Sequence, residues 1–175
     1  MAQSAPSGDL GPVFDDLEQR LLGLSLEERA AAVAEVGTAA YADVTIAGRL
    51  HASVGGAVAV TCLGGHRVSG VVERVGVDCM VIVEGAYRWA VRSMTVTGLE
   101  GLSTRSIPDA ARPVTARLSF GSVVRGLGEV VVVRVDGSRT AGRVERVGAD
   151  FVEVQHSAHP VVIPFGAIVA VRGGR

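Results

Sequence analysis

The sequence contains no lysine, so arginine supplies all 17 of its basic side chains. Aromatic residues make up only 4% of the chain, which leaves valine, alanine, leucine and isoleucine to form the core. There are two cysteines, Cys62 and Cys79, and both lie in apolar patterns typical of strands. We interpret them as small buried hydrophobic residues of a protein in the reducing cytoplasm, rather than as a disulfide or a reactive thiol.

Long apolar runs are also missing. No run approaches the ~18 residues that a membrane-spanning helix requires. The amino terminus has neither the basic nor the apolar region of a signal peptide, and we interpret residues 1–12 as a disordered lead. We therefore expect a cytoplasmic protein that makes no membrane contact.

Charge is distributed unevenly along the chain. Residues 1–48 hold two arginines and eight acidic residues, a net charge of −6. Residues 49–175 hold 15 arginines and ten acidic residues, a net charge of +5. Two interpretations stay open: the basic part meets a polyanion, or the acidic arm pairs with the basic part of its own chain.

A nine-residue segment occurs twice. Residues 70–78 and 142–150 match at seven of nine positions, at an offset of 72. An internal repeat of this kind predicts two copies of one β module. Copy 1 is assigned to residues 57–99 and copy 2 to residues 114–175. Upstream, Arg49-Leu50 matches Arg117-Leu118 at an offset of 68, which predicts about four extra residues in copy 2.

Each copy contains five apolar segments of strand length, separated by glycine-rich or polar turns. The turn Asp136-Gly137 of copy 2 is a strong hairpin signal. The glycine and aspartate of each Val-Gly-x-Asp segment predict a turn with permissive dihedrals, in which the aspartate bonds neighbouring amides. The predicted strands are 57–63, 67–75, 79–84, 87–92 and 95–99 in copy 1, and 129–135, 139–147, 151–156, 160–164 and 167–172 in copy 2.

Helices are predicted before each copy. Apolar residues at helical spacing indicate a short helix over 13–23, and Ser25-Leu-Glu-Glu28 matches a capping box that opens a longer one. Together they form a helical arm over 13–56, and continuity of the long helix near residue 45 stays open. Residues 100–113 lack periodicity and form a linker. Pro113 then starts a short helix that runs to about Leu127.

The third strands of the two copies differ. In copy 2, Val152 and Val154 alternate with polar residues, which predicts one buried and one wet face. In copy 1, residues 79–83 are apolar on both faces. Something must cover the outer face of copy 1, and the candidates are the amino-terminal helices or a partner chain.

A helix that leads into five short, bent antiparallel strands resembles the Sm-like family of small β-barrels (LSm and Hfq-type), although SH3-like barrels give similar patterns. The first Sm motif, a glycine in strand two followed by an aspartate and an apolar strand, corresponds to Gly70 with Asp78 and to Gly142 with Asp150. The second motif corresponds to residues 89–96 and 161–168. In this motif the family's arginine stands at Arg92 in copy 1, and copy 2 has Pro164 there.

The resemblance implies a mainly β protein with amino-terminal α-helices and two tandem Sm-like or SH3-like five-stranded antiparallel barrels. It also implies assembly by pairing of strand four of one unit with strand five of the next. Two departures concern the RNA-binding pocket: the glycine-to-aspartate spacing is eight rather than six, and no asparagine follows the aspartate.

A basic rim is the candidate site for nucleic acid, because arginines neutralise phosphates and aromatic rings stack on bases. The alternative is that these arginines form cross-strand ion pairs on a solvated sheet and that the tryptophan packs in a core or interface. The candidate residues are Arg67, Arg74, Arg88, Arg92, Arg139, Arg143, Arg146 and Trp89.

Other chemistry finds little support in the residues. His156 and His159 have no cysteine or carboxylate cluster to complete a metal site, and no triad or phosphate-binding loop is recognisable. We expect no enzyme activity, no cofactor and no metal. The leading hypothesis is a non-catalytic RNA-binding or RNA-associated adaptor with single-stranded RNA as its partner. The alternative is a protein–protein assembly scaffold that joins chains, including copies of itself, through barrel edge strands.

Overall fold

The computed structural model describes residues 41–174. The chain divides into two units, Met1–Val44 and Thr45–Arg175. The predicted disordered lead, the helix over 13–23 and the first part of the long helix lie outside the described residues.

Ten strands form within residues 41–174, and each lies within two residues of its predicted bounds. The sequence pattern is reliable here because turns rich in glycine and aspartate separate short runs of valine and isoleucine. The strands of copy 1 are β1 (Ala57–Cys62), β2 (Arg67–Val75), β3 (Cys79–Glu84), β4 (Tyr87–Arg92) and β5 (Val96–Glu100). Those of copy 2 are β6 (Glu129–Arg134), β7 (Arg139–Val147), β8 (Phe151–His156), β9 (His159–Pro164) and β10 (Ile168–Gly174).

The strands form one antiparallel sheet in the order β5-β1-β2-β3-β4-β10-β6-β7-β8-β9. The prediction of a mainly β protein is confirmed. Within each copy the fifth strand pairs with the first, as β5 with β1 and β10 with β6. The fourth strand of copy 1 then pairs with the fifth strand of copy 2, which joins the two copies in one sheet.

Within residues 45–174, two short α-helices lie before the first strands of the copies, α1 (Ile46–Ala52) before β1 and α2 (Phe120–Arg125) before β6. Residues 44 and 45 are not helical, so the long helix does not continue through this point. The prediction of one helix from Pro113 to Leu127 is wrong, because a 3₁₀ turn over Val114–Arg117 precedes a separate α2. Thr45 and Ser119 start the two helices by accepting hydrogen bonds from the amides of Gly48 and Ser122.

The predicted insertion of four residues in copy 2 is also wrong. The amide of Val72 donates to the carbonyl of Gly56, and that of Val144 donates to the carbonyl of Gly128. These equivalent bonds keep the offset of 72. The segment from the helix cap to this glycine is shorter in copy 2 (Ser119 to Gly128) than in copy 1 (Thr45 to Gly56). The match of Arg49-Leu50 with Arg117-Leu118 therefore does not reflect equivalent positions.

Copy 2 covers the apolar outer face of copy 1. Cys79 and Ala90 of copy 1 belong to the same hydrophobic cluster as Phe120 and Val124 of α2 and Val171 of β10. Val81 is buried as well, and it lines a crevice beside α2. Within the described residues, the cover therefore comes from the chain's own second copy, which neither sequence-based candidate included.

Both cysteines are buried and free, as predicted. Burial raises the pKa of the Cys79 thiol to about 12, with Asp78 adding to the shift. The thiol is therefore protonated near neutral pH, and Cys79 acts as a small hydrophobic residue of the core.

The repeated glycine of the second strand is required by close approach of the neighbouring backbone. A Cβ at Gly70 would overlap the carbonyl oxygen of Val83, and one at Gly142 would overlap that of Gln155. By contrast, a Cβ at Gly166 would meet no atom within 4 Å, and the φ of Gly166 is negative or extended.

We expect Gly70→Ala and Gly142→Ala each to lower the free energy of unfolding by about 2 kcal/mol, because the strand pair must separate to admit the methyl group. Gly166→Ala is the control and should change it by less than about 0.5 kcal/mol. Urea unfolding followed by circular dichroism measures both. Equal effects of the three substitutions would contradict the close-approach explanation.

Candidate functional site

Four of the predicted arginines are paired with carboxylates. Arg67 donates through both terminal nitrogens to the two carboxylate oxygens of Glu100, at 2.8 Å each. Arg74 and Arg88 both donate to Glu73, with a shortest distance of 2.7 Å from Arg74 and 2.8 Å from Arg88. In copy 2, Arg146 lies 3.8 Å from Glu153. Three of these pairs join different strands, as the alternative of cross-strand ion pairs expects, whereas Arg74 pairs with its neighbour in β2.

Glu73 is the centre of this charge group. Burial alone would raise the pKa of its carboxyl, but the hydrogen bonds and charges of Arg74 and Arg88 outweigh burial and hold the pKa below its ordinary value. The equivalent residue of copy 2 is Glu145, and it makes no ion pair within the described residues. The two copies therefore use the same glutamate–arginine dipeptide differently.

Trp89 is inaccessible to a nucleic-acid base. Its side chain is only 6% exposed, and its indole nitrogen donates to Glu84 at 2.8 Å. The ring of His66 lies against it, with centroids 5.1 Å apart. Burial, reinforced by the charge of Arg139, lowers the pKa of His66 although Glu84 opposes the shift, so this imidazole is neutral near pH 7. The tryptophan is thus a packing residue.

Two predicted arginines keep their charge available. Arg139 and Arg143 lie on β7, and both residues are exposed. Neither forms a salt bridge to another residue of the described chain. Because they are four residues apart along a strand, their side chains leave the same face of the sheet. They form a pair of positive charges rather than the seven-arginine rim that the sequence suggested.

Arg92 lies between the two copies. It donates to the backbone carbonyl of Phe165, and its guanidinium carbon is 5.6 Å from the centroid of the Phe120 ring. Phe120 and Phe165 pack edge to face, with centroids 5.2 Å apart. The arginine that matches the family's second motif therefore holds copy 2 against copy 1.

Asp78 makes a second polar link between the copies. Its Oδ1 accepts a hydrogen bond of 2.7 Å from the amide of Phe120, the first residue of α2. Beside it, the amide of Val77 donates to the carbonyl of Leu118 at 3.0 Å. The sequence predicted that Asp78 bonds neighbouring amides, and its partner is instead 42 residues away. Gly76 contributes its small size, since a Cβ there would overlap the carbonyl of Leu118.

The strand pair β4–β10 completes this contact, in a register that runs from Ala170 opposite Val91 to Gly174 opposite Tyr87. We call the strand pair, together with the contacts of Asp78 and Arg92, the joint. At one end of it, the Arg172 guanidinium lies 4.5 Å from the centroid of the Tyr87 ring. The joint combines backbone pairing, apolar packing and two half-buried polar anchors.

Sequence reasoning did not identify the joint as a site. It proposed the pairing of fourth with fifth strands through the family resemblance, but it gave Asp78 a local role and placed Arg92 in an RNA-binding rim. One available signal was the unequal third strands, because the outer face of copy 1 has Val81 where copy 2 has Glu153.

Other site chemistry is sparse. In copy 2 the ring nitrogen Nδ1 of His156 lies 2.7 Å from the carbonyl oxygen of Ala141. Within residues 41–174, no group of three or more histidine, cysteine, aspartate or glutamate side chains is placed to hold a metal ion. The helices in this range are all too short or too polar to cross a membrane.

Comparison with known proteins assigns no family, since neither the protein-family models nor the curated proteins contain a match to this chain.

We expect Asp78→Ala to lower the free energy of unfolding by about 1–2 kcal/mol, because it leaves the first amide of α2 without its acceptor at a partly buried position. Asp150→Ala is the matched control at the equivalent position of copy 2, where the side chain makes no hydrogen bond within the described residues. It should cost less than about 0.5 kcal/mol. Chemical unfolding measures both, and equal costs would show that Asp78 does not anchor the joint.

The Glu73 ion pairs should stabilise the protein only while the carboxyl is ionised. Its pKa is depressed on folding, so this stability is present above the unfolded pKa of roughly 4.3 and is lost as pH falls through the lower, folded value. Glu73→Gln should therefore cost about 0.5–1 kcal/mol at pH 7 and progressively less as the pH is lowered below about 4. Glu145→Gln is the control without an ion pair. A cost for Glu73→Gln that does not change with pH would rule out the ion pairs as its origin.

Proposed function

We propose that this chain is a non-catalytic protein–protein assembly scaffold built from two tandem Sm-like barrels. The observation that carries the proposal is that most of the arginines predicted to bind RNA contact other residues of the protein. Four of them pair with carboxylates and Arg92 anchors the joint, so most of the positive charge offered for RNA already has a partner within the protein.

The barrel interpretation rests on strand order and on bends. In each copy the first strand pairs with the fifth, which brings the ends of the five-stranded segment together. The second strands carry a register shift at equivalent places, between Val72 and Arg74 and between Val144 and Arg146. Bulges bend a strand and increase its twist, which is what a short sheet needs in order to close on itself.

The outer edge of β5 is the surface that the scaffold would use. β5 is the first strand in the sheet order, so no described strand pairs with its outer side. Its alignment with β10 places Leu99 at the position of Val171, which faces β4 in the joint. Nearby, Met94 is 73% exposed. An unpaired edge of this kind accepts an antiparallel strand from another chain.

A second copy of this chain is the simplest partner. Two β5 strands can pair antiparallel around a two-fold axis, so that each contributes the same residues to the contact. The pairing of Glu100 with Arg67 leaves this edge without an unbalanced carboxylate. Such a dimer would extend the ten-stranded sheet of one chain into the sheet of the next.

RNA binding is the second candidate, and Arg139 with Arg143 is the observation that favours it. Two unpaired arginines on one face of β7 can contact adjacent phosphates. Trp89 is buried and cannot supply the stacking that was predicted for it.

Light scattering on the intact chain and on Leu99→Pro tests the scaffold. The unmodified protein should have about twice the one-chain mass of 18.0 kDa. Leu99→Pro removes the outward-facing amide of β5 and should reduce the mass to that of one chain, whereas the control Leu99→Ala keeps the amide and should remain larger. A gel-shift assay with single-stranded RNA at about 50 mM salt should show no binding. A monomer that binds RNA and loses binding in Arg139→Ala/Arg143→Ala would replace the scaffold by the adaptor.

A further inference from the structure

In the joint, strand β4 of copy 1 receives β10 of copy 2. The hairpin that connects β3 to β4 determines which residues of β4 direct their backbone groups toward β10. Glu84 pairs with Tyr87 across a two-residue turn, so their backbone groups bond each other. Along an antiparallel strand, the backbone N–H and C=O groups of successive residues point alternately toward one neighbouring strand and toward the other. Arg88, Ala90 and Arg92 therefore direct their amides away from β3, and the first two lie opposite Gly173 and Val171 of β10.

The same deduction applies to β9, the equivalent strand of copy 2. His156 pairs with His159 across a two-residue turn, so residues 160, 162 and 164 direct their backbone groups to the open edge of the sheet. The amide of Phe165, two residues after Ile163, donates to the carbonyl of Asp150 at 2.7 Å, which agrees with this alternation. The three outward-facing residues are Pro160, Val162 and Pro164.

Proline has no amide hydrogen, so two of the three donors of this edge are missing. In copy 1 the same two positions hold Arg88 and Arg92. Arg92 also supplies the guanidinium that anchors Phe165 in the joint, and Pro164 cannot do so. Proline at an edge strand is a common device against pairing with another chain.

The turn beside β9 is closed as well. In copy 1, Gly76 leaves room for the carbonyl of Leu118, which arrives from copy 2. In copy 2, the equivalent Gly148 is covered by the ring of Phe151, because a Cβ there would overlap that ring. Phe151 stands where copy 1 has Cys79, so a large side chain of the same copy occupies the space over the glycine.

We propose that copy 2 is a terminating module: Pro160, Pro164 and Phe151 close the surface that would otherwise receive the α1–β5 side of a second copy of this chain. The proposal rests on the assembly function proposed above and defines its limits. The α1–β5 side of copy 1 corresponds to the α2–β10 side of copy 2 that enters the joint. Its residue Ile46 is 64% exposed, whereas its counterpart Phe120 is fully buried in the joint.

The consequence is a finite assembly. If β9 could receive β5, each chain would carry both halves of a head-to-tail contact, and such contacts produce rings or open filaments. With β9 closed, a chain can add a partner only at β5. Repeat proteins use modified terminal repeats for the same purpose.

The experiment restores the residues of copy 1 in copy 2. The variant Phe151→Cys/Pro160→Arg/Pro164→Arg is compared with the unmodified chain by light scattering and sedimentation over the same concentrations. We expect its mass to be at least twice that of the unmodified chain and to rise with concentration. Adding Ile46→Arg should reverse this gain. Ile46 is the counterpart of Phe120, which is buried in the joint, so the arginine would place a charge in the corresponding part of the new contact.

Two further variants keep the result interpretable. His159→Tyr also introduces the copy 1 residue, but at a position whose amide faces β8, and should leave the mass unchanged. Pro160→Ala/Pro164→Ala restores only the two amides and serves if the triple variant is unstable by circular dichroism. Folded variants with restored amides and the mass of the unmodified chain would overturn the proposal. That result is separate from a failure of the scaffold, in which the unmodified chain is monomeric and unaffected by Leu99→Pro.

Discussion

The hydrogen bonds between β4 and β10 hold both copies in one sheet, and the other contacts between the copies depend on them. Each copy alone is small and would bury only a modest share of its surface. Once β10 lies beside β4, α2 covers Cys79 and Val81, Asp78 reaches the first amide of α2, and Arg92 reaches the carbonyl of Phe165. The apolar outer face of copy 1 is therefore explained by its contact with copy 2, and no partner chain is needed to account for it.

The two copies have different roles in this arrangement. Copy 1 uses its fourth strand internally and leaves its fifth strand at one end of the sheet, while copy 2 does the reverse. The residues at the two ends differ accordingly. The edge of β5 keeps the amide of Leu99, whereas the edge of β9 has two prolines. Arginine serves this architecture mainly as an ion-pair and packing partner, since its planar fork suits bidentate contacts such as that of Arg67 with Glu100.

Much of the fold could be predicted from the sequence because its signals are local. Ten runs of β-branched residues and the glycine-rich turns between them specify the strands almost to the residue. The helices were predicted less well, since side chains such as Thr45 and Ser119 favour a cap over a helix interior and the apolar spacing did not reveal this. The site could not be predicted because its partners are distant in sequence: nothing near Asp78 indicates Phe120, and nothing near Trp89 indicates that the ring of His66 packs against it.

Amide hydrogen exchange of the intact chain, followed residue by residue, tests the joint most directly. Ala90 and Val162 occupy equivalent outward-facing positions, Ala90 in the joint and Val162 in the edge strand β9 of copy 2. If β4 pairs with β10, the amide of Ala90 should exchange as slowly as the amides in the centre of each copy, and that of Val162 should exchange with the rates of an open edge. Fast exchange at both Ala90 and Val171, with slow exchange elsewhere in the two copies, would show that the copies fold separately and would contradict the account.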